Sequence, residues 1–294
     1  MADKVALVTG SNRGIGLAIV QELCRRGVGV VYLTARDPAQ GQRAVRRLQQ
    51  QGLQPRFLQL DVADRSSVAR LADHLKREHG GLDILINNAG VINKNVYIVD
   101  YEDAKRILDI NYFSLLTIQE LVFPVLKDNA RVINISSDAG HIANIKNEEW
   151  IRRLTSETAT VDDVNAFVNW FLDGAKNNTL KREDFYEMEL LAYRISKVAL
   201  TALTRVQQRL AARGVAVNAL HPGFIQSDMT GGGGHLPLAG AGAAPAYLAL
   251  DVSQDVKGRY FWFDKTEKDW TDPNLDIQCK FTIFEKSLKE AGAL

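Results

Sequence analysis

Short runs of aliphatic and β-branched residues alternate with amphipathic stretches through the first half of the chain. Apolar runs at 5–9, 28–34, 56–61, 82–87 and 131–136 predict strands, and the segments 17–26, 39–51, 66–79 and 102–127 predict helices. This order is that of successive βαβ units, which build a parallel sheet covered on both faces because the crossovers are right-handed. The rhythm stops after residue 140: 148–154, 161–175 and 182–191 are polar and helix-prone with no strand among them, so 140–190 is read as a helical insertion. It resumes with a helix over 192–213 and a strand over 215–220. Residues 230–245, rich in Gly and Ala, are too poor in large apolar groups to pack a core and are expected to form a mobile loop. A last strand is predicted at 260–263, and a charged extension, 265–294, turns apolar at 281–284. The expected fold is α/β, a doubly wound parallel sheet in one domain spanning 1–294.

Composition narrows the partners. The 294 residues are 46% hydrophobic and 24% charged, as in ordinary globular proteins. With 36 basic against 35 acidic side chains, no whole-molecule field favours nucleic acid or an anionic membrane. Nor is there a run of about 18 apolar residues for a membrane span. The two cysteines, Cys24 and Cys279, have neither metal-ligand spacing nor the density of a disulfide framework. A reducing, cytoplasmic compartment is expected.

The first strand runs into Thr9-Gly10-Ser11-Asn12-Arg13-Gly14-Ile15-Gly16, and a helical pattern follows. Strand, glycine turn and helix in this order form a dinucleotide fingerprint. Gly10 permits the tight turn, Gly14 lets the backbone approach a pyrophosphate, and Gly16 allows close helix packing, with phosphate at the positive helix end. Cofactor choice falls to the end of the second strand, Thr34-Ala35-Arg36. Ala35 has no carboxylate to repel a 2′-phosphate, whereas Arg36 and Arg13 can donate to one, so NADPH (NADP+ when oxidised) is favoured. Asp37 is the contrary sign, but strand alternation turns it away. Asp61 either accepts from the adenine amino group or caps the next helix.

Tyr193-Arg194-Ile195-Ser196-Lys197 places a phenol and an ammonium on one helical face. A phenol with a pKa near 10 is sluggish at pH 7, and a neighbouring cation favours its ionised form. The pair Tyr101 and Lys105 has the same spacing but sits among acids, and is read as a solvated helix face. Tyr193 instead follows a strand ending Asn134-Ile135-Ser136-Ser137.

The glycine turn, the run Asn87 to Gly90, Ser137, Tyr193 with Lys197, and Pro222-Gly223 together resemble the short-chain dehydrogenase/reductase family over residues 4–264. The resemblance implies a Rossmann-like domain that reduces aldehyde, ketone or quinone carbonyls by direct hydride transfer. Tyr193 would exchange the proton, Lys197 would bind the nicotinamide ribose and acidify Tyr193, and Ser137 would polarise the carbonyl. Asn111 would hold a relay water, or is simply a buried amide. The dinucleotide would lie on Gly10, Asn12, Arg13, Gly14, Ile15 and Gly16, with Arg36, Asp61 and Val62 around the adenosine. Asn88, Ala89, Gly90, Pro222, Gly223 and Ser227 would line the rest, Ser227 facing the carboxamide and Asn88 alternatively stabilising the central strands. Alternation sends only one of Ser136 and Ser137 to the cofactor, and the family register favours Ser137. Oxidation of a steroid-like or retinoid-like alcohol and a catalytically silent nucleotide-binding scaffold stand as alternatives.

Ser137 and Tyr193 are 56 positions apart, far more than is typical of the family. This insertion, with Thr34-Ala35-Arg36, resembles the monomeric NADPH-dependent carbonyl reductase branch, where inserted helices cover the face through which relatives form tetramers. Phe167, Trp170 and Phe171 are accordingly read as packing groups. Two departures bear on substrate: Asp138 stands where near relatives have an apolar residue, and Leu220-His221 precedes the Pro-Gly turn where they have a cysteine. Asp138 would disfavour acidic substrates and bulky apolar groups nearby. Phe224 and Met229 are candidates for an apolar substrate wall, while His221 and His141 are read as structural.

Overall fold

The computed structural model describes residues 1–277. Eight strands form one sheet: β1 (Val5–Val8), β2 (Val30–Ala35), β3 (Arg56–Gln59), β4 (Leu82–Asn87), β5 (Leu126–Ile135), β6 (Ala216–Leu220), β7 (Tyr260–Phe261) and β8 (Glu267–Lys268). Their order is β3-β2-β1-β4-β5-β6-β7-β8, all parallel except β8, which returns antiparallel to β7. The direction of winding reverses between β1 and β4, and such a switch point opens a crevice at the carboxyl ends of the strands. The strands read as continuous apolar runs because both faces are covered. Alternation divides β1 between two cores, Val5 and Leu7 on one side, Ala6 and Val8 on the other.

The second of these faces carries α1 (Gly14–Arg25), α2 (Pro38–Gln49) and a late helix spanning Ala243–Leu250. The first carries α3 (Arg65–His79), α4 (Tyr101–Leu108), α5 (Ser114–Val122), and the helices Val161–Asn177 and Leu191–Leu210. The doubly wound, Rossmann-like sheet is therefore as expected, with boundaries shifted by a few residues.

Three expectations need correction. The continuous helix over 102–127 is broken by a π-helical turn, Asp109–Phe113, and stops near Pro124, so that β5 begins at Leu126. At this turn Asn111 points back and bonds both backbone groups of Val91, a residue distant in sequence. The segment 182–191 holds only a single 3₁₀ turn, Arg182–Asp184, because Phe185 leaves it to pair with Ile145. Finally, 230–245 is not all loop. The helix Ala243–Leu250 starts inside it and buries Ala244, Ala246, Leu248 and Ala249. Small side chains suffice here because the backbone packs closely on α1: a Cβ at Gly242 would lie 2.3 Å from the Ala18 carbonyl oxygen. The short strand β8 was not anticipated. The apolar stretch 281–284 and Cys279 lie outside the described residues.

In the insertion, α6 (Glu148–Thr155) and α7 (Val161–Asn177) are amphipathic, and α7 opens on a reciprocal capping box between Thr160 and Asp163. Its apolar face packs on α4 and on α8 (Leu191–Leu210). Phe167 and Phe171 are fully buried, and Phe167 packs on both Trp150 and Trp170, with ring centroids 5.5 and 5.9 Å away, while the two tryptophans touch each other at 5.5 Å. The remaining helix, Ala243–Leu250, is α9. Phe167→Ala should cost about 3–5 kcal/mol, the usual range for emptying a buried aromatic site, read as a lower midpoint in urea unfolding.

Candidate active site

The crevice at the ends of β1 and β4 is floored by the glycine turn. Gly10 and Gly14 have φ of +58° and +56°, a left-handed conformation that favours glycine. At Gly16 a Cβ would lie 2.5 Å from Asn88 Nδ2, so the third glycine is set by contact. Asn88 holds the turn, donating from Nδ2 to the carbonyls of Thr9 and Gly10, each at 3.0 Å. Thr9 Oγ1 accepts in return from the amides of Asn88 and Ala89 at 2.9 Å. Sequence reading missed Thr9, although its place at the strand end just before Gly10 was the available signal. Asn88 thus both lines the crevice and ties the two central strands together.

The turn fits a dinucleotide phosphate. The N-terminus of α1 has no side-chain cap, its preceding residue Arg13 making no such bond, and a Cβ at Gly14 would meet nothing within 4 Å. Free helix amides opening onto unfilled space are the arrangement that binds an anion. Arg36 lines the crevice at the end of β2. Asp37 is occupied elsewhere, capping α2 by accepting from the Ala39 amide at 2.8 Å. Asp61 also lines the crevice and accepts from the Ala63 amide at 3.0 Å; Asp64, not Asp61, caps α3. Val62, Ala89 and Gly90 complete this half, and Asn12 faces it while donating to Gln40. Arg13, expected at the 2′-phosphate, lines the crevice and pairs with Asp228 at 3.3 Å across the mouth, both side chains exposed.

The other half is built by α8. Leu190, at φ +53°, turns the chain into the helix, and Asn93 Oδ1 accepts from the Tyr193 amide at 3.1 Å. Lys197 Nζ donates to the Ile135 carbonyl at 2.8 Å and lies 5.7 Å from the centroid of the Tyr193 ring. Burial pushes the Lys197 ammonium down from its ordinary 10.5 to about 8, which leaves it charged at pH 7. Ser136 lines both the crevice and a second cavity but commits its hydroxyl to Thr201 Oγ1 at 2.6 Å, and Ser137 lines the second cavity only. Asn111 is buried, accepting from the Val91 amide and donating to the Val91 carbonyl and to Ser196 Oγ, all within 2.9 Å. The side chain of Asn111 is thus engaged with Val91 and Ser196.

That second cavity, of about 390 Å³, opens beside Tyr193 and Ser137. Phe224 and Met229 line it as expected, Pro222 and Ser227 line both spaces, and Gly223, expected along the cofactor, lines this cavity and not the crevice. Trp262, Phe263, Ile92 and Leu190 line it too and were not foreseen, since they come from three segments distant in sequence. His221 faces the same cavity, accepting at Nδ1 from the Asp138 amide at 2.9 Å, and burial pushes it below the ordinary imidazole value. Asp138 Oδ1 accepts from Ser137 Oγ at 2.8 Å. His141 is structural, its Nε2 on the Asp269 carbonyl at 2.8 Å. The pair Tyr101 and Lys105 makes no such site, because Lys105 bonds Asp109 on the surface.

The two ends of the insertion meet here. Arg194, almost wholly buried, donates to Asn144 Oδ1, to the Glu187 carboxylate and to the Glu189 carbonyl. Asn144 Nδ2 donates onward to the carbonyls of Asp138 at 3.0 Å and His141 at 2.9 Å. The helix bearing Tyr193 is thereby clamped to the loop bearing Ser137. Among the described residues no helix is long and apolar enough to cross a membrane, and no cluster of three metal-ligating side chains is found.

Residues 4–149 match the short chain dehydrogenase family model. The chain is 40% identical to carbonyl reductase (NADPH) 3 of Homo sapiens, over 84% of its own length and 91% of that protein's. It is 37% identical to carbonyl reductase (NADPH) 1 of Bos taurus, over 86% and 93% of the two chains. The structure of salutaridine reductase from Papaver somniferum superposes with a TM-score of 0.80 at 29% identity, covering 88% of this chain and 99% of that one. A glycine turn at a sheet switch point, a tyrosine beside it with a buried lysine one helical turn on, and relatives this similar along most of their lengths lead to one conclusion: the chain belongs to the short-chain dehydrogenase family.

Proposed function

We propose that this protein reduces the carbonyl group of aldehydes, ketones or quinones to an alcohol, with NADPH as the reductant. The observation that carries the reading is that Tyr193 lines both the phosphate-binding crevice and the apolar cavity, with Lys197 on the crevice side and Ser137 on the cavity side. The glycine turn, Arg36 and Lys197 would hold NADPH, which when bound would supply the hydride for the carbonyl carbon. Its relatives in Homo sapiens and Bos taurus carry NADPH in their names, and the Ala35-Arg36 strand end suits the same cofactor here.

Tyr193 Oη gives its proton to the carbonyl oxygen. Lys197, cationic and shielded from water, stabilises the phenolate left behind. Each unit of acidification is worth about 1.4 kcal/mol, so a drop of roughly three units asks about 4 kcal/mol of the local field. That is a reasonable demand on one charge at close range in a dry site. Ser137 Oγ orients the carbonyl for both transfers. With its amide engaged by Val91 and Ser196, Asn111 serves by holding the loop, and a relay water would fall to its backbone.

The chain is further read as one domain working as a monomer in the cytoplasm, because α7 covers the faces of α4 and α8 and the free thiol of Cys24 suits a reducing compartment. A single species of about the chain mass, 32.6 kDa, is expected in light scattering; a stable dimer or tetramer would refute the monomer.

Tyr193→Phe should lower turnover of a carbonyl panel by about three orders of magnitude while NADPH binding, followed by fluorescence, is retained. Undiminished turnover would rule out Tyr193 as the proton donor. Arg36→Asp should weaken NADPH at least about tenfold more than NADH, an effect of about 1.4 kcal/mol; equal losses would remove Arg36 from cofactor choice.

A further inference from the structure

Building on the carbonyl-reducing reading, we infer that His221 is a specificity-determining donor of the same site: its Nε2–H faces the cavity beside Tyr193 and holds a second, neutral oxygen on the substrate. The position of that proton follows from the bond at the other ring nitrogen. The Asp138 amide donates to Nδ1 at 2.9 Å, so Nδ1 presents a lone pair. A proton on Nδ1 shared with the Asp138 carboxylate would need a shorter separation than the 3.9 Å between Nδ1 and Oδ1. Burial pushes the imidazole below its ordinary value, which leaves the ring neutral at pH 7. A neutral imidazole whose Nδ1 accepts carries its hydrogen on Nε2.

Among the described residues Nε2 has no hydrogen-bond partner, although His221 is only 6% exposed. The side-chain polar atoms that are both sealed and unpartnered belong to Asn87, Gln119, Gln207 and Trp262, so Nε2 is open, and the space that His221 lines is the cavity. An unmet donor in a mostly apolar wall is satisfied by an acceptor on the ligand. The ring is held in place for this. Trp262 and Phe263 meet it edge to face, at 5.3 and 6.0 Å between centroids, and its backbone amide donates to the Phe261 carbonyl at 2.8 Å. Nearby hydroxyls are spent on the protein, that of Ser136 on Thr201 and that of Thr230 on backbone carbonyls. Among the described residues lining the cavity there is no lysine or arginine, so a carboxylate would enter uncompensated and the fitting acceptor is a neutral oxygen. Because the imidazole rests on the amide that follows Ser137, both donors stand on one stretch of wall. A substrate held by its reacting carbonyl and by a second oxygen is fixed at two points, which orients it for hydride transfer.

Hexane-2,5-dione and 5-methylhex-5-en-2-one test this, since they share an outline and differ by an oxygen exchanged for a methylidene group; the chain is flexible enough to adjust its reach. NADPH oxidation should give a kcat/KM per carbonyl about tenfold higher for the dione. The ratio between the two substrates is then read in two variants, so that a loss common to both cancels. His221→Asn keeps an acceptor for the Asp138 amide but has no group at the position of Nε2, and its ratio should fall at least about fivefold. His221→Gln keeps an N–H near that position but not the acceptor, and should retain most of the preference. No preference in the wild type, a preference that survives in His221→Asn, or one lost equally in both variants overturns the assignment, the last because it marks a purely structural role. A measurement on the wild type does not depend on the variants folding. In nitrogen NMR of histidine-labelled enzyme with NADP+, the His221 ring should be protonated at Nε2 alone, and the dione but not its methylidene analogue should shift that signal; a proton on Nδ1, or no shift, also counts against it. Reduction of both ketones without preference rejects the role of His221 alone, whereas no reduction of any carbonyl compound rejects the proposed function with it.

Discussion

The arrangement depends on one buried cation. Lys197 is held out of water in the centre of the molecule, where an ammonium is costly unless something accepts its protons. The Ile135 carbonyl at the end of β5 is one such acceptor, and it fixes Nζ beneath the crevice and against the Tyr193 ring. For this to happen α8 must lie on the sheet with little clearance. Gly140 shows how little: a Cβ there would come within 2.8 Å of the Lys197 carbonyl oxygen and 2.2 Å of Ser136 Oγ. The small residues near the strand end are therefore part of the same device that positions the charge.

The other side of the crevice uses hydrogen bonds where the first uses packing. Thr9 and Asn88 exchange bonds across the carboxyl ends of β1 and β4, so the turn that would receive phosphate is tied to the loop that would receive nicotinamide. Asn111 continues the lacing by bonding Val91 and Ser196 from within the π-helical turn. Buried polar groups in such a network either find their partners or cost stability, so the network favours one geometry.

Much of this was legible in the chain because it follows from local chemistry. Apolar runs alternating with amphipathic ones gave β1 to β6, and Gly10, Gly14 and Gly16 directly after a strand marked the phosphate turn. The Tyr193 and Lys197 pair was readable from helical spacing, though the identical spacing at Tyr101 shows that context had to decide. What escaped the reading depends on contacts distant in sequence. The π-helical turn carries the bonds from Asn111 to Val91, and α9 is stable because alanines fit close to α1, which composition alone misreads as loop. Trp262 and Phe263 could not be assigned to the cavity without knowing where β7 and its flanking loop lie. The engagement of Arg13 with Asp228 was likewise invisible, since the two are 215 positions apart.

The clamp from Arg194 through Asn144 to the Asp138 carbonyl has a consequence for how this chain could vary. It joins the two ends of the insertion directly, so the spacing between the proton-bearing groups does not depend on how much polypeptide lies between them. Lengthening a closed loop is cheap, about 0.6 kcal/mol per doubling. The loops and solvent-facing surfaces between residues 148 and 177 are therefore free to be extended or altered over generations while the chemistry stays in register, provided that the knot at their base and the apolar face of α7 on α4 and α8 are kept.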